Sequence, residues 1–500
     1  MLSAINSRWW AWPLIGTVAL VAGCVGVPPL FGVKADYLWT DRLLLVLVVV
    51  TLFAIAYVRQ REHLAGPWRQ VFRRPLGMAA LVVLSAYVVV ALLDSIHFLT
   101  PLPQRGPGAS VQYSVNPISV FDVIVGPLRR HTEQTYSAPF ATHLLSKQTV
   151  QRPDGTQARV YARLKYGGAH LSDPARQETN DILRRLGIAV VQALLLWALV
   201  VAAVAFVLGR RSGTGIGTAL SDMAAGRCPV PWRTLLGTVF VLLLLIFAAV
   251  HLGGAYHIFG TDKVGQDVFY LSLKSIRTGL VIGTLTTLIM LPFAILLGIM
   301  AGYFHGWVDD LIQYFYTTLS SIPGVLLIAA AILSIQVLIA NHPGWFDTDA
   351  ERADLRLLAL CGILGITSWT TLCRLLRGEA LKLREVDFIE AATAFGVRHF
   401  TIIVRHILPN VLHIVLIIVV LDFSGLVLAE AVLSYIGVGV DPSTTSWGNM
   451  INGARLELAR DPMVWWSLAA AFVMMFTLVL AANVFADAVR DAFDPRLRRQ

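Results

Sequence analysis

Residues 388–410 read FIEAATAFGVRHFTIIVRHILPN. They lie between two apolar runs, 357–377 and 410–430, that are each long enough to cross a membrane. The whole chain is rich in such runs, because 56% of its 500 residues are hydrophobic, 14% are charged and the mean hydropathy is +0.68. A soluble globular protein has about 45–50% apolar and about 25% charged residues. The sequence therefore predicts an all-α polytopic membrane protein.

Ten apolar segments are predicted to cross the membrane as helices, since each could span a hydrocarbon core of about 30 Å. Lys and Arg collect in the loops 59–74 and 210–233 and in the tail 496–499, which places all three in the cytoplasm. Both termini and residues 388–410 are then expected on the cytoplasmic side. The ten segments are 10–31, 42–58, 76–93, 187–208, 234–252, 279–301, 320–340, 357–377, 410–430 and 464–486.

The spacing of these spans divides the chain into four predicted parts. Residues 1–93 form an N-terminal membrane region of three spans, and residues 94–186 form a loop domain outside the membrane. Alternating apolar and polar residues at 158–164 indicate strands, so we expect that loop domain to be small and to contain β-structure. Residues 187–233 supply a fourth span and a cytoplasmic linker, and residues 234–500 form a six-span membrane domain.

The charge and the cysteines argue against other functions. The basic cytoplasmic loops explain the net charge of +9, and no basic stripe is interleaved with exposed aromatics, so nucleic-acid binding is not expected. Cys24, Cys228, Cys361 and Cys373 have the spacing of neither a metal site nor a disulfide framework, and we predict packing roles for them. Residues 21–24 resemble a lipoprotein signal, but the nine spans that follow favour a first transmembrane helix.

The sequence contains no catalytic or ATP-binding motif. The patterns G-x-x-x-x-G-K-S/T, H-E-x-x-H and G-x-S-x-G do not occur, so we predict neither an enzyme nor a cofactor or metal bound by this chain. A proton-driven transporter needs ionisable groups inside the membrane. The spans offer few of them, namely Asp422 and Glu430, so a secondary transporter is kept only as an alternative.

Residues 387–399 are predicted to form a short helix between two spans. Ala392 and Gly396 would lie one turn apart on it, and small residues at this spacing let another surface approach the backbone. The negative charge of Glu390, near the helix start, interacts favourably with the helix dipole and could pair with a basic partner. Pro409 suits the first turn of the next span. These residues alone leave open whether a partner binds the helix or whether it lies along the headgroups.

Six residues of the opening stretch together resemble the EAA motif of ABC importer permeases. His406 stands where that motif usually has Ile, and the sequence His-Ile-Leu-Pro-Asn at 406–410 is similar to the oligopeptide and dipeptide branch. The six residues are Glu390, Ala391, Ala392, Gly396, Leu408 and Pro409.

Four further segments resemble the C-type permease subunit of the oligopeptide, dipeptide and nickel importers. One departure is Gln266, where that family more often has Arg. All the similar segments fall within residues 234–500, so the resemblance implies a six-helix importer permease core there. The four segments are GTDKVGQD at 260–267, GYFHGWVD at 302–309, LSYIGVGV at 433–440 with SWGNM at 446–450, and DAVRDAFDPRLR at 487–498.

The resemblance implies a peptide importer of the bacterial inner membrane with several subunits. A second permease would share the translocation path, and an external substrate-binding protein would deliver the ligand. Two ATPase subunits would bind ATP and Mg, and the six EAA residues would couple them to the spans. The outer gate or a contact with the binding protein would be formed by Gly260, Thr261, Asp262, Gly265, Asp267, Gly437, Gly439, Trp447 and Gly448.

Residues 1–230 lie outside the resemblance, because family members normally have one span before the segment that matches 260–267. The extra part could dock a binding protein, brace the partner permease or reach envelope components. A membrane scaffold or sensor with a permease-like core is therefore a second alternative, besides a secondary transporter.

Overall fold

A computed structural model describes residues 10–30, 32–102, 111–151, 157–213 and 215–493. Within these residues the N-terminal membrane region forms four helices. They are α1 (Ala11–Leu30), α2 (Trp39–Gln60), α3 (Glu62–Val71) and α4 (Pro75–Asp94).

The region after α4, residues 95–173, contains short strands and two short helices, which confirms the predicted β-content. Strands β1 (Lys34–Ala35), β2 (His97–Leu99) and β3 (Ile118–Ser119) form an antiparallel sheet. Helices α5 (Val120–Ile124) and α6 (Gly126–Arg130) follow. Strands β4 (His143–Gln151) and β5 (Gln157–Arg163) then pair as an antiparallel hairpin, with β5 on the predicted alternating run. We call the end of the helix bundle that carries residues 95–173 the loop end.

Twelve helices in the described part of the chain follow residue 173. Three of them, α7, α10 and α13, are more than 35 residues long. The helices are α7 (Pro174–Ser212), α8 (Ile216–Ala225), α9 (Trp232–Gly253), α10 (Val268–Phe304), α11 (Trp307–Ser321), α12 (Gly324–Asn341), α13 (Asp349–Arg384), α14 (Asp387–Ala394), α15 (His399–Ile402), α16 (Leu408–Tyr435), α17 (Trp447–Ala454) and α18 (Trp466–Phe493). We call the opposite end of the bundle, which carries α14, the α14 end.

Nine helical segments among the described residues are long and apolar enough to cross a membrane, and they coincide with nine of the ten predicted spans. The first predicted span coincides with α1, in which the apolar run Ala11–Cys24 is shorter than a full crossing. The predicted span 320–340 is wrong in its beginning, because the chain breaks into α11 and α12 at Ile322. Pro323 disfavours a helical conformation for the residue before it.

Helices α10 and α13 run parallel and form the centre of the C-terminal bundle. Their backbones approach closely at Gly298, Gly302 and Gly365. A Cβ atom at Gly302 would lie 2.5 Å from the carbonyl oxygen of Arg377, and one at Gly298 would lie 2.8 Å from that of Cys373. This close packing buries side chains of both helices, including both cysteines of α13.

Helix α4 of the N-terminal region packs within the C-terminal bundle. It contacts α10, α18 and α9, and α9 joins the bundle largely through α4. Gly77 lies against Ala488, and the hydroxyl of Tyr87 donates to the carbonyl oxygen of Met474 at 2.9 Å. The packing is therefore continuous across the predicted domain boundary at residue 234.

We expect Gly302→Ala to destabilise the protein by about 1–3 kcal/mol, because the added methyl group would overpack the contact between α10 and α13. Gly362→Ala in α13 is the matched control, since nothing lies within 4 Å of a Cβ atom there. Thermal unfolding in detergent would measure both variants. Equal midpoints would contradict the proposed importance of this contact.

Candidate functional site

Helix α14 is shorter than the predicted helix 387–399, because it ends at Ala394. Gly396 has a φ of +72°, and the amides of Gly396 and Val397 donate to the carbonyl oxygens of Thr393 and Ala392. These two hydrogen bonds form a Schellman motif, which ends a helix at a residue that adopts positive φ without strain. Gly396 therefore determines where α14 stops.

One buried side chain anchors α14, and most of its other side chains are exposed. Ile389 is 1% exposed and packs in the apolar core with residues of α10 and α13. Glu390 and Ala391 are exposed, as are Phe395 (87%) and Phe400 (77%) just after the helix. We call Glu390, Ala391, Phe395 and Phe400 the α14 face. Neither phenylalanine is among the site residues predicted from the sequence, although large apolar residues in a predicted polar loop are a usable signal.

The span after α14 begins earlier than predicted, because helical structure starts at His399. Residues 403–407 form a π-helical turn, and Pro409 lies in the first turn of α16. Because Pro409 has no amide hydrogen to donate, the α-helical ladder is interrupted just before it. The Tyr303 hydroxyl pairs with the His399 ring at 2.8 Å, which fixes the start of this segment to the end of α10. Leu408 is half-buried beside Pro409.

Two of the segments that resemble peptide permeases lie at or near the α14 end. Asp309 accepts two hydrogen bonds from Arg377, at 2.6 and 2.7 Å, and is 5% exposed. This ion pair joins the start of α11 to α13, the helix that directly precedes α14. In the segment 487–498, residues 487–493 belong to α18, and residues 494–498 lie outside the described part, as does the predicted basic tail 496–499.

At the loop end, residues 260–267 are covered by residues 133–139 of the same chain. The Thr261 hydroxyl donates to the carbonyl oxygen of Thr135 at 2.8 Å and accepts from the amide of Ser137 at 2.7 Å. A Cβ atom at Gly265, where φ is +76°, would lie 1.9 Å from the carbonyl oxygen of Glu133. Only glycine fits there.

Of the five predicted gate residues in this loop, Gly260, Thr261, Gly265 and Asp267 are buried, and Asp262 is half-buried. Asp262 holds the loop in shape, since its Oδ1 accepts from the amides of Val264 and Gln266. The exposed side chains of the loop are Lys263, Val264 and Gln266.

A buried ionic cluster connects this loop to residues 95–173. His257 pairs with Asp267 through Nδ1 at 2.7 Å and with Glu133 through Nε2 at 3.4 Å. Both partners are acceptors, so the ring must donate from both nitrogens and carry a positive charge. Burial disfavours that charge, but the hydrogen bonds to Asp267 and Glu133 outweigh it and raise the pKa of His257 to about 9.

Glu133 is held in its charged form by several donors. It accepts from the backbone amides of Lys165, Tyr166 and Gly167. Burial opposes ionisation, but the hydrogen bonds from His257 and from these amides outweigh it and lower the pKa of Glu133 to about 2.

The second predicted gate segment, 437–450, is also closely packed. Trp447 is 1% exposed, and its Nε1 donates to the carbonyl oxygen of Ser272 at 3.0 Å. Gly439 and Gly448 approach α16 so closely that a Cβ atom would overlap Ser434. Gly437 has a φ of +86°, and nothing lies within 4 Å of a Cβ atom there.

A cavity of about 330 Å³ separates the two predicted gate segments. Its lining includes Asp262 from one segment, Asn449 from the other and Tyr136 from the 95–173 region. The structure therefore brings the two predicted gate segments together at the loop end, on either side of this cavity.

Two cations of α10, Lys274 and Arg277, were missed by sequence reasoning. Lys274 binds both carboxylate oxygens of Asp122, at 2.8 and 2.7 Å, and lies 3.4 Å from Asp94. Arg277 donates to Asp41. All three carboxylates belong to the region before residue 230, so these pairs join that region to α10.

The pair of Arg277 and Asp41 is buried. Asp41 is 0% exposed and also pairs with His97 Nδ1 at 2.8 Å. Thr40 accepts from Arg277 and donates to Asp354 of α13, which lies 4.0 Å from the guanidinium. α2, α10 and α13 are thus connected through one buried polar network.

Comparison with known proteins identifies the class to which this fold belongs. A family model described as a binding-protein-dependent transport system inner membrane component matches residues 294–499. The glutathione transport system permease protein GsiD of Pectobacterium atrosepticum is 31% identical over 244 residues, which are 48% of this chain and 73% of the relative. These matches indicate a membrane component of a transport system.

Two further relatives narrow the class. The oligopeptide transport system permease protein OppC of Haemophilus influenzae is 31% identical, over 49% of this chain and 71% of the relative. The dipeptide transport system permease protein DppC of Bacillus subtilis is 29% identical, over 49% of this chain and 70% of the relative. The chain belongs to the permease family of binding-protein-dependent ABC transport systems, and the predicted resemblance to its oligopeptide and dipeptide branch is confirmed.

The His257 cluster predicts that the contact between residues 133–139 and 260–267 weakens at alkaline pH. The folded pKa of His257 is raised above its ordinary value of about 6.5, so its contribution is complete below pH 6.5 and is lost as the pH rises through about 9. Hydrogen exchange of residues 133–139, corrected for intrinsic rates, should therefore increase by up to about tenfold per pH unit in that window.

His257→Gln cannot become cationic, so this increase should disappear in that variant, whereas His342→Gln, distant in sequence and partnered by a backbone carbonyl, should keep it. An unchanged pH dependence in His257→Gln would show that another group is responsible.

Asp41→Asn should destabilise the protein by about 3–5 kcal/mol, because it leaves the Arg277 guanidinium buried without its main counter-ion. Asp349→Asn removes an exposed ion pair with Arg352 and should cost at most about 1 kcal/mol. Chemical or thermal unfolding in detergent would compare the two. If both variants unfolded alike, the buried pair would not be important for stability.

Proposed function

We propose that this chain is a permease subunit of an ATP-driven importer for peptides. The α14 face carries the proposal, because it presents two exposed phenylalanines and a carboxylate at the end of a bundle whose family works in binding-protein-dependent transport. The relatives GsiD, OppC and DppC are named for glutathione, oligopeptide and dipeptide transport, which supports a peptide substrate. A second permease would complete the translocation path, and a binding protein would deliver the peptide.

The α14 face is suited to receive an ATPase subunit. Phe395 and Phe400 would be buried on docking, and Glu390 would meet a basic residue of the ATPase. ATP and Mg would be bound by two such subunits and not by this chain. Gly396 would contribute by ending α14 sharply and by leaving room for the partner, since nothing in the described chain lies within 4 Å of a Cβ atom there.

Three sets of side-chain contacts would transmit a movement of α14 to the spans. Ile389 fixes α14 in the core, Arg377 and Asp309 hold α13 to α11, and Tyr303 holds α10 to His399. Because these contacts lie within a few turns of one another, α10, α11 and α13 would follow a displacement of α14. Closure of the ATPases could thereby expose the path alternately to the two sides.

The charge distribution supports an orientation with the α14 end in the cytoplasm of a bacterium. Six basic residues lie close to α14 in sequence, and cytoplasmic loops collect such residues. The loop end would then face outward from the inner membrane, and both termini would be cytoplasmic. The six residues are Arg374, Arg377, Lys382, Arg384, Arg398 and Arg405.

The outer gate would be formed by residues 260–267 and 437–450 around their shared cavity. Since the glycines and Thr261 in the first segment are covered by residues 133–139, a binding protein would meet Lys263, Val264 and Gln266 together with the 95–173 region. The additional region of the chain would thus take part in substrate delivery.

Replacing Phe395 with Asp, or Glu390 with Lys, should abolish co-purification of the ATPase subunits and reduce peptide-stimulated ATP hydrolysis by at least about tenfold, because each change removes a contact at the centre of the docking face. Glu385→Lys makes the same charge change at an exposed position before α14 and should keep both properties. Normal ATPase capture and coupling in the first two variants would show that the α14 face is not the docking site.

The same preparation separates the alternatives. A proton-driven carrier would transport without any ATPase and would lose transport in Asp422→Asn, whereas a scaffold or sensor would not transport peptide at all. ATP-dependent uptake of trialanine into proteoliposomes that contain the assembled transporter would exclude both.

A further inference from the structure

Helix α11 has three distinct faces. Asp309, Ile312 and Tyr316 are buried against the bundle, whereas Leu311 and Phe315 form an exposed apolar face. The third face is polar, and its members recur at helical spacings of three and four residues. We call it the polar stripe: Asp310, Gln313, Tyr314, Thr317, Thr318 and Ser321.

The ion pair of Asp309 with Arg377 places α11 relative to the membrane. Arg377 lies where the apolar run of α13 ends, so the start of α11 is near the membrane boundary at the α14 end. α11 leads directly into α12, a spanning helix with exposed Val325, Leu326 and Leu333. The polar stripe therefore lies in the half of the membrane near α14, and it covers about 16 Å along the helix.

Polar groups in this position need water or a polar partner. In the described part of the chain, the side chains of Asp310 and Thr317 and the hydroxyl of Tyr314 have no hydrogen-bond partner. Hydroxyl and carboxylate groups facing lipid would be costly, and within a membrane such groups are found beside water-filled cavities or polar partners. A groove of about 460 Å³ runs along the stripe. The polar stripe is therefore not expected to face the hydrocarbon of the membrane.

We propose that the polar stripe lines the substrate path in the half of the membrane near the α14 end. This inference rests on the proposed importer function and assigns a wall of its path. Hydroxyl and amide groups both donate and accept hydrogen bonds, so they can bond in turn to water and to the amide groups of a passing peptide. Asp310, nearest the α14 end, adds a negative charge that attracts an ammonium group. The stripe thus fits a substrate rich in amide and ammonium groups.

Cysteine accessibility in the assembled transporter tests this assignment. Thr317→Cys on the stripe and Phe315→Cys on the apolar face would each be made in a background whose four native cysteines are replaced and which still transports trialanine. Both positions are exposed within this chain, so they form a matched pair. The reagent is a positively charged, water-soluble methanethiosulfonate, applied from the α14 side of proteoliposomes with and without ATP.

Thr317→Cys should react at least about tenfold faster than Phe315→Cys in one nucleotide state, because only a cysteine in contact with water ionises readily to the reactive thiolate. Trialanine should slow the reaction while it is being transported. Equal rates at the two positions, or protection of Thr317→Cys in every state by a tightly seated partner subunit, would overturn the assignment. So would a rate that trialanine leaves unchanged during its transport.

The two proposals fail in different ways. If the background protein transports trialanine with ATP but Thr317→Cys is unreactive, the importer function stands and the stripe is not in the path. If the assembled protein shows no ATP-dependent uptake, the importer function itself is wrong, and the assignment of the stripe falls with it.

Discussion

The pairing of Arg277 with Asp41 is the interaction on which the joining of the two halves depends. An unpaired guanidinium buried at the loop end of α10 would cost several kcal/mol, on the order of the total stability of many domains. The carboxylate that neutralises it comes from α2, 236 residues earlier in the chain. α10 is the central helix of the C-terminal bundle. Asp354 of that bundle lies 4.0 Å from the guanidinium, so the closest counter-ion of the buried arginine comes from the N-terminal region.

This constraint explains why the additional region packs together with the C-terminal bundle. Lys274 repeats the arrangement one turn earlier with Asp94 and Asp122, and His257 extends it to Glu133. At the loop end, therefore, a row of cations from the C-terminal half meets carboxylates from the N-terminal half. α4 continues the contact along the bundle by packing against α10 and α18.

The α14 end is organised differently. Its polar contacts to α13 and α10 come from the C-terminal half itself, through the ion pair of Asp309 with Arg377 and the hydrogen bond between Tyr303 and His399. The N-terminal region reaches α18 there, where Arg74 pairs with Asp491, while Phe395 and Phe400 stay exposed. One end of the bundle is thus closed by internal charge pairing, and the other has exposed apolar side chains.

The sequence by itself determined the membrane class, nine spans and the strand β5, because apolar length and alternation act locally. It also located α14 and its exposed Glu390, because a short motif can be recognised without knowledge of the fold. It misjudged the end of α14 and the start of the span at 320, because one positive φ at Gly396 and one Pro323 outweigh helical periodicity.

Only the tertiary structure decided which side chains share a site. Asp41 and Arg277, or Glu133 and His257, are too far apart in sequence for spacing to connect them, and burial is what makes their pairing necessary. For the same reason, sequence spacing does not show that Gly265, which we predict to belong to the outer gate or to a contact with the binding protein, is covered by another segment of its own chain.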